Sequence, residues 1–169
     1  MSHKDNRQLP VYVERLKVAG GFWRRLFLQI LFRLAAKGNL RLGMNIQKMR
    51  RQQEALDVRM TPADFSTRRR AAETDEFQAE WVEAPDLQPQ RVILYLHGGA
   101  FMFRFPRTHA RLAGDWCKAL NARALMVDYR LAPEHRWPAE IDDCHAAYRW
   151  LLASGIQPEN IVLAGDSAG

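Results

Sequence analysis

Residues 161–169 read Ile-Val-Leu-Ala-Gly-Asp-Ser-Ala-Gly, and the rest of the chain has to be consistent with the fold that this stretch predicts. It begins with a short apolar run, after which Ser167 stands between Gly165 and Gly169. A serine on a tight strand-to-helix turn has a strained backbone and an exposed hydroxyl, as a nucleophile requires. Because so short a pattern also arises by chance, it needs support from elsewhere in the sequence.

Two further apolar runs support a sheet. Residues 92–96 and 124–127 are, like residues 161–164, short and without alternation of polar and apolar side chains. Such runs are typical of strands covered on both faces of a parallel sheet. Because helical patterns separate the runs, the sequence predicts an α/β fold with a central, mostly parallel sheet, whose site lies at the carboxyl ends of the strands.

The two helical patterns between these strands have recognisable ends. The first has Thr108 as its expected N-cap, and the second opens at Pro138 and stops at Gly155. Apolar residues recur at helical spacing in both, and we expect them to face the core. They are Leu112, Trp116 and Leu120 in the first helix, and Ile141, Cys144, Tyr148 and Leu151 in the second.

The N-terminal part of the chain has a different pattern. Residues 22–37 form a predicted helix in which a narrow polar stripe interrupts an apolar surface. Its longest apolar run is three residues, far short of the ~20 that cross a membrane. The helix either packs against protein, which we favour, or lies on an anionic lipid surface with its cations toward the headgroups. The stripe consists of Arg25, Gln29, Arg33 and Lys37.

A boundary is expected near residues 70–76. Thr61 and Pro62 predict the start of a short helix that continues through Arg70, and residues 77–81 alternate as a half-exposed strand would. Residues 1–70 carry 16 Lys/Arg against 5 Asp/Glu, whereas residues 71–169 carry 9 against 14. We therefore divide the chain into an N-terminal helical region, 1–72, and a catalytic region, 73–169.

Composition restricts the class of protein. With 47% hydrophobic and 26% charged residues, the 169-residue chain is typical of a soluble globular protein. Cys117 and Cys144 fit neither a disulfide framework nor a metal-ligand spacing, so we expect two buried or semi-buried thiols, a cytoplasmic location, and no metal or cofactor. The basic N-terminal half favours a solvated face, and no nucleic-acid-binding motif accompanies it.

Small residues also follow the first parallel strand. At His97-Gly98-Gly99-Ala100, backbone N–H groups can point into a cavity, as acyl transfer requires for its developing oxyanion. A glycine-rich turn without function is the alternative. Because the serine turn ends another strand of the same sheet, both loops should open on one edge, with the Ala168 N–H as a partner donor.

Between these loops, residues 128–134 read Asp-Tyr-Arg-Leu-Ala-Pro-Glu, and over residues 77–169 the chain resembles the hormone-sensitive-lipase-like family of α/β-hydrolases. The resemblance implies a carboxylic-ester hydrolase without a cofactor, whose N-terminal helices form part of a cap and whose substrate is a small ester. It implies Ser167 as nucleophile and an oxyanion hole from Gly98, Gly99, Ala100 and Ala168. The supporting motif residues would be His97, Asp128, Arg130, Glu134, Gly165, Asp166 and Gly169. Ala100 replaces a glycine of the family pattern, and Arg104-Phe105 stands where relatives often have small residues.

The catalytic base is the remaining question. In α/β-hydrolases the triad order is Ser, then Asp or Glu, then His, and the sequence ends two residues after Ser167. None of the five histidines can be the base by that order. We therefore interpret the chain as the N-terminal part of a longer esterase, inactive by itself. The alternative is a non-catalytic small-molecule receptor on the same fold, similar to the plant gibberellin receptors.

Overall fold

The computed structural model describes residues 45–62, 66–85 and 89–169. The predicted helix over residues 22–37 lies outside them, so its packing stays a prediction. The described elements, in chain order, are α1 (Ile46–Met60), β1 (Arg68–Ala71), β2 (Ala79–Glu83), β3 (Arg91–Leu96), α2 (Pro106–Leu120), β4 (Ala122–Val127), α3 (Ala139–Ala153), a 3-10 turn (Pro158–Asn160) and β5 (Ile161–Gly165).

The five strands form one mixed sheet in the order β1-β2-β4-β3-β5. Strand β3 pairs in parallel with both β4 and β5, whereas β2 pairs antiparallel with β1 and β4. In register, Leu96 lies opposite Val127 of β4 and Gly165 of β5. The predicted α/β fold is therefore confirmed, and the loops that follow β3, β4 and β5 leave the sheet at one edge.

The core lies on both faces of this sheet. Val92 and Leu94 point to one face, where they pack with residues of α3 such as Leu151. Ile93 and Tyr95 point to the other face and pack with the buried side of α2. Because successive side chains of a strand point to opposite faces, a continuous apolar run marks a strand buried on both. This prediction is confirmed for β3 and β4.

Strand β5 differs from its two parallel neighbours. It lies at the edge of the described sheet, and Val162 and Leu163 are 52% and 65% exposed. The apolar run predicted the strand correctly, but the described residues do not cover both faces of the strand. Among the described strands, β5 pairs with β3 alone.

Helix α2 buries a different stripe from the one predicted. Leu112 and Leu120 are 37% and 50% exposed, while the buried side consists largely of smaller residues. Small side chains let a helix approach the sheet closely, so they take the inner face although larger apolar residues lie beside them. The buried residues are His109, Ala110, Ala113, Gly114 and Cys117. In α3, Leu151 is fully buried as predicted, but Ile141 is 52% exposed and the inner side includes the fully buried Ala147.

The ends of α3 are as predicted. Pro138 precedes its first residue, and Gly155 follows its last turn with φ +85°, donating its N–H to the Leu152 carbonyl at 3.0 Å. The N-cap predicted for α2 is wrong, because Thr108 lies inside the helix and does not cap it. The N–H groups of Thr108 and Arg107 instead donate to the buried carboxylate of Asp57, at 3.0 and 2.8 Å. A side chain of α1 therefore caps α2.

The helix predicted to continue through Arg70 is wrong, because residues 68–71 form β1. Arg69 and Arg70 of this strand pair with Glu80 and Glu83 of β2, at 2.6 and 3.2 Å. Cross-strand ion pairs of this kind stabilise the extended conformation of a charged, exposed segment. The strand predicted at residues 77–81 exists at Ala79–Glu83, and the domain boundary stays a prediction.

Both cysteines are free thiols, as expected. Cys117 is fully buried and its Sγ lies 3.4 Å from the Val82 carbonyl, whereas Cys144 is half-buried. Burial raises the pKa of each thiol to about 11, so neither is a reactive thiolate. None of the helices in the described ranges has the length and apolar character that a membrane crossing demands.

Candidate active site

The turn after β5 has the backbone geometry of a nucleophile-bearing turn. Ser167 has φ +53°, in the left-handed region that residues with a Cβ rarely adopt, and it is exposed. The N–H of Gly169 donates to the Asp166 carbonyl at 2.8 Å and closes the turn. A Cβ at Gly169 would collide with the Leu96 carbonyl of β3. The turn is therefore both tight and packed against the neighbouring strand.

The loop after β3 is strained in a similar way. Ala100 and Phe101 have φ of +54° and +58°, and Gly99 has φ +134°. The carbonyl of Gly99 accepts hydrogen bonds from the N–H groups of Met102 and Phe103, at 3.0 and 2.9 Å. The alanine that replaces a family glycine thus adopts a left-handed conformation despite its Cβ, at a cost of about 1–2 kcal/mol.

The backbone N–H groups of the two loops are not equivalent. The Gly98 N–H donates to Asp166 Oδ1 at 2.8 Å. Among the hydrogen bonds of the described residues, none uses the N–H of Gly99, Ala100 or Ala168. The four amides predicted for the oxyanion hole therefore divide into one that holds the two loops together and three that are available to a ligand.

Asp166 joins the serine turn to the loop after β3. Its Oδ1 accepts hydrogen bonds from the Tyr95 hydroxyl at 2.7 Å and from the Gly98 N–H, and it lies 3.7 Å from His109 Nε2. Burial raises the pKa of this carboxyl, but these hydrogen bonds and the nearby histidines more than offset that effect and leave the pKa below its ordinary value. The carboxylate is therefore charged at neutral pH.

His97 and His109 are buried side chains of the same region. The His97 ring stacks on Tyr129 with centroids 4.1 Å apart, and its Nδ1 lies 2.8 Å from the Gly98 carbonyl. Burial lowers the pKa of both imidazoles, which are therefore neutral at pH 7. In the described part of the chain, no histidine is hydrogen-bonded to the Ser167 hydroxyl. The prediction that none of these histidines is the base is consistent with this geometry.

Several known proteins are similar to this chain in sequence and in fold. A family model for the alpha/beta hydrolase fold matches residues 93–169. The carboxylesterase/phospholipase LipF of Mycobacterium tuberculosis is 48% identical over 95 residues, which are 54% of this chain and 26% of LipF. The crystal structure of an esterase from the bacterial hormone-sensitive lipase (HSL) family is 36% identical, covers 84% of this chain and 48% of its own, and gives a TM-score of 0.69. The chain therefore has the α/β-hydrolase fold, and it is similar to solved proteins of the hormone-sensitive lipase family.

A second similar solved structure is that of EstE5, from a crystal soaked with p-nitrophenyl butyrate. It is also 36% identical, with a TM-score of 0.67, and the match covers 84% of this chain and 48% of EstE5. The chain thus spans about a quarter of the length of LipF and about half of each of the two solved chains.

The acidic and basic residues of the family motif at 128–134 all form ion pairs. Arg130 forms a bidentate pair with the buried Asp143, at 2.7 Å. The two acids of the motif also find partners outside it, since Glu134 pairs with Arg50 at 2.8 Å and Asp128 pairs with Arg104. Arg104, which departs from the family pattern, is therefore charge-compensated where it lies.

Two cavities, of about 760 and 450 Å³, open beside the motif. Arg104 and Asp128 line both of them, and His97 and His109 line the smaller one. Ser167 is not among the described residues that line either cavity. Cavity size alone therefore does not mark the turn that carries Ser167.

Sequence reasoning missed several residues of this region. Tyr95 is an ordinary strand residue in the sequence, and nothing there indicates that its hydroxyl binds Asp166. Arg50 lies in a polar helical segment that contains many cations, so its contacts with the motif loop have no local signal. Asp143 lies on the observed buried side of α3, where a charged residue requires a partner, but the predicted apolar stripe did not include that side.

Proposed function

We propose that the whole protein is a carboxylic-ester hydrolase that forms an acyl-enzyme on Ser167. One observation carries this proposal. An exposed serine with a left-handed backbone and three unused backbone N–H groups stand on adjacent loops at one edge of the sheet. Strain of this kind persists where function requires it, and unpaired amides are the donors that a tetrahedral oxyanion needs.

The chemistry follows from these positions. Ser167 Oγ attacks the carbonyl carbon of the ester while a base removes the hydroxyl proton. The carbonyl oxygen becomes an oxyanion, which accepts hydrogen bonds from the N–H groups of Gly99, Ala100 and Ala168. Collapse of this intermediate expels the alcohol, which takes the proton, and water then hydrolyses the acyl-enzyme to release the acid.

The base is proposed to come from a segment beyond Gly169. The buried His97 and His109 are neutral and held by stacking, which leaves neither free to turn toward Ser167. The triad order of the fold places the acid and then the histidine after the serine. The 169-residue chain alone should therefore lack ester turnover.

Small esters are the proposed substrates, supported by the p-nitrophenyl butyrate soaked into crystals of EstE5. The full-length protein should hydrolyse this ester and be labelled on Ser167 by a fluorophosphonate. Ser167→Ala should abolish both, whereas Ser154→Ala, at another exposed serine, should leave both unchanged. Label on a different residue, or turnover by Ser167→Ala, would refute the assignment. A folded wild type that is neither labelled nor active would instead favour the receptor alternative.

Two properties stay predictions beyond this activity. They are the cytoplasmic location and the packing of the basic helix at residues 22–37, with weak contact to an anionic membrane surface as its alternative.

A further inference from the structure

Arg50 of α1 makes an unusual set of contacts with the family motifs. Its guanidinium donates from Nε to the Met102 carbonyl at 2.9 Å and from Nη2 to the Ala132 carbonyl at 2.7 Å. It also forms a bidentate pair with Glu134, at 2.8 and 2.9 Å. One side chain from outside the catalytic motifs therefore touches two of their loops.

One of the two carbonyls belongs to a strained turn, and the other belongs to a residue that is bonded to this turn. Met102 donates its N–H to Gly99, so it closes the turn that contains the left-handed residues Ala100 and Phe101. The Phe101 carbonyl in turn accepts the Ala132 N–H at 2.8 Å. A strained turn persists only when its surroundings hold it, and Arg50 supplies one bond to this turn and one to the neighbouring loop that is bonded to it.

A simple surface ion pair does not account for this arrangement. The side chains of Arg50 and Glu134 are 23% and 38% exposed, and pairs near the surface contribute little to stability. The pair nevertheless sets the orientation of the Arg50 guanidinium. The Arg50 hydrogen bonds hold the pKa of Glu134 below its ordinary value, and the charged carboxylate fixes the planar guanidinium so that its other donors face the carbonyls.

We propose that Arg50 is a positioning residue for ester hydrolysis, which fixes the turn that presents the Gly99 and Ala100 amides to the oxyanion. This inference rests on the proposed function. Its consequence is specific: loss of the Arg50 contacts should impair the transition state more than substrate binding. A misplacement of about 1 Å in such a site costs on the order of 100-fold in rate.

The test uses the full-length protein with p-nitrophenyl butyrate. Arg50→Lys keeps the charge but cannot reproduce the fork of donors. We expect its kcat to fall by about 10- to 100-fold while KM stays within about threefold, because the lost interaction acts in the transition state. Arg51→Lys, at the exposed neighbouring position, is the matched control and should match the wild type.

A second pair of variants separates positioning from folding. Arg50→Ala should lose at least as much kcat as Arg50→Lys, and added methylguanidinium should restore part of it at unchanged thermal midpoint. Glu134→Gln removes the charge that orients the guanidinium and should lose part of the kcat, with KM again within about threefold. The proposal is wrong if Arg50→Lys has the wild-type kcat, or if the variant loses activity through a higher KM instead of a lower kcat. A wild type that is neither active nor labelled on Ser167 overturns the proposed function instead.

Discussion

The Gly98 N–H donates to Asp166 Oδ1 at 2.8 Å, so the loop that carries the oxyanion amides is bonded to the residue immediately before the nucleophile. The two loops belong to different strands, β3 and β5, and are 68 residues apart in the chain. A Cβ at Gly98 would collide with the Asp166 carboxylate. Because Gly98 has no side chain, the Asp166 carboxylate has room to accept the Gly98 N–H and so to hold the two loops together.

This bond predicts a pH-dependent stability. The pKa of Asp166 is below its ordinary value in the folded chain, so the unfolded chain binds the proton first as pH falls. The contribution of Asp166 is complete above about pH 4, the ordinary Asp pKa, and disappears as pH falls through the folded pKa. Asp166→Asn should flatten the dependence of the urea midpoint on pH between about 3 and 5. Asp75→Asn, in an exposed turn, is the control, and an equal flattening there would contradict the prediction.

The strained serine predicts a gain in stability on substitution. Ser167 has φ +53°, a conformation that costs residues with a Cβ about 1–2 kcal/mol and glycine almost nothing. Ser167→Gly should therefore be more stable than Ser167→Ala by about 0.5–1 kcal/mol, after allowance for the greater freedom of glycine in the unfolded chain. Both variants lack the hydroxyl, so neither should take the fluorophosphonate. Equal urea midpoints for the two variants would show that the turn stores no strain.

The connection between α1 and α2 predicts the cost of a lost cap. Asp57 is 2% exposed and accepts hydrogen bonds from the N–H groups of Arg107 and Thr108 and from the Thr108 hydroxyl. Asp57→Ala leaves these donors without a partner, and we expect the free energy of unfolding to fall by about 1–3 kcal/mol. Glu54→Ala, on an exposed face of the same helix, should change it by less than about 0.5 kcal/mol. A similar loss in both variants would mean that helix propensity, not the cap, is responsible.

The sequence was sufficient for the parallel part of the fold because that part depends on short patterns. A continuous apolar run identifies a strand, and small residues just after β3 and β5 identify loops that require unusual backbone conformations. Both patterns are local, and Ser167, Gly99 and Ala100 could be placed at one edge from strand order alone.

The rest depends on contacts between distant residues, which leave no local pattern. Arg69 and Arg70 resemble an exposed helical segment until β2 provides their glutamate partners. Asp57 and Arg50 resemble any charged residue on a polar helix, because the groups that they bind lie about 50 residues or more away. The inner face of α2 was misjudged for another reason, since volume at the helix–sheet contact selected Ala113 and Gly114 over Leu112.

The edge strand β5 predicts how the 169-residue chain behaves when it is produced alone. Val162 and Leu163 are 52% and 65% exposed on a strand whose outer edge has no partner among the described strands, and such an edge is a template for pairing with other chains. We expect concentration-dependent association in analytical ultracentrifugation. Replacing both residues with lysine should suppress it, since charge on an edge strand opposes strand pairing. Leu56 and Val58 of α1 are 49% and 50% exposed, and lysine at these positions is the matched control. Because a helix face does not template strand pairing, the control should leave association unchanged, and suppression by it would show that β5 is not the contact.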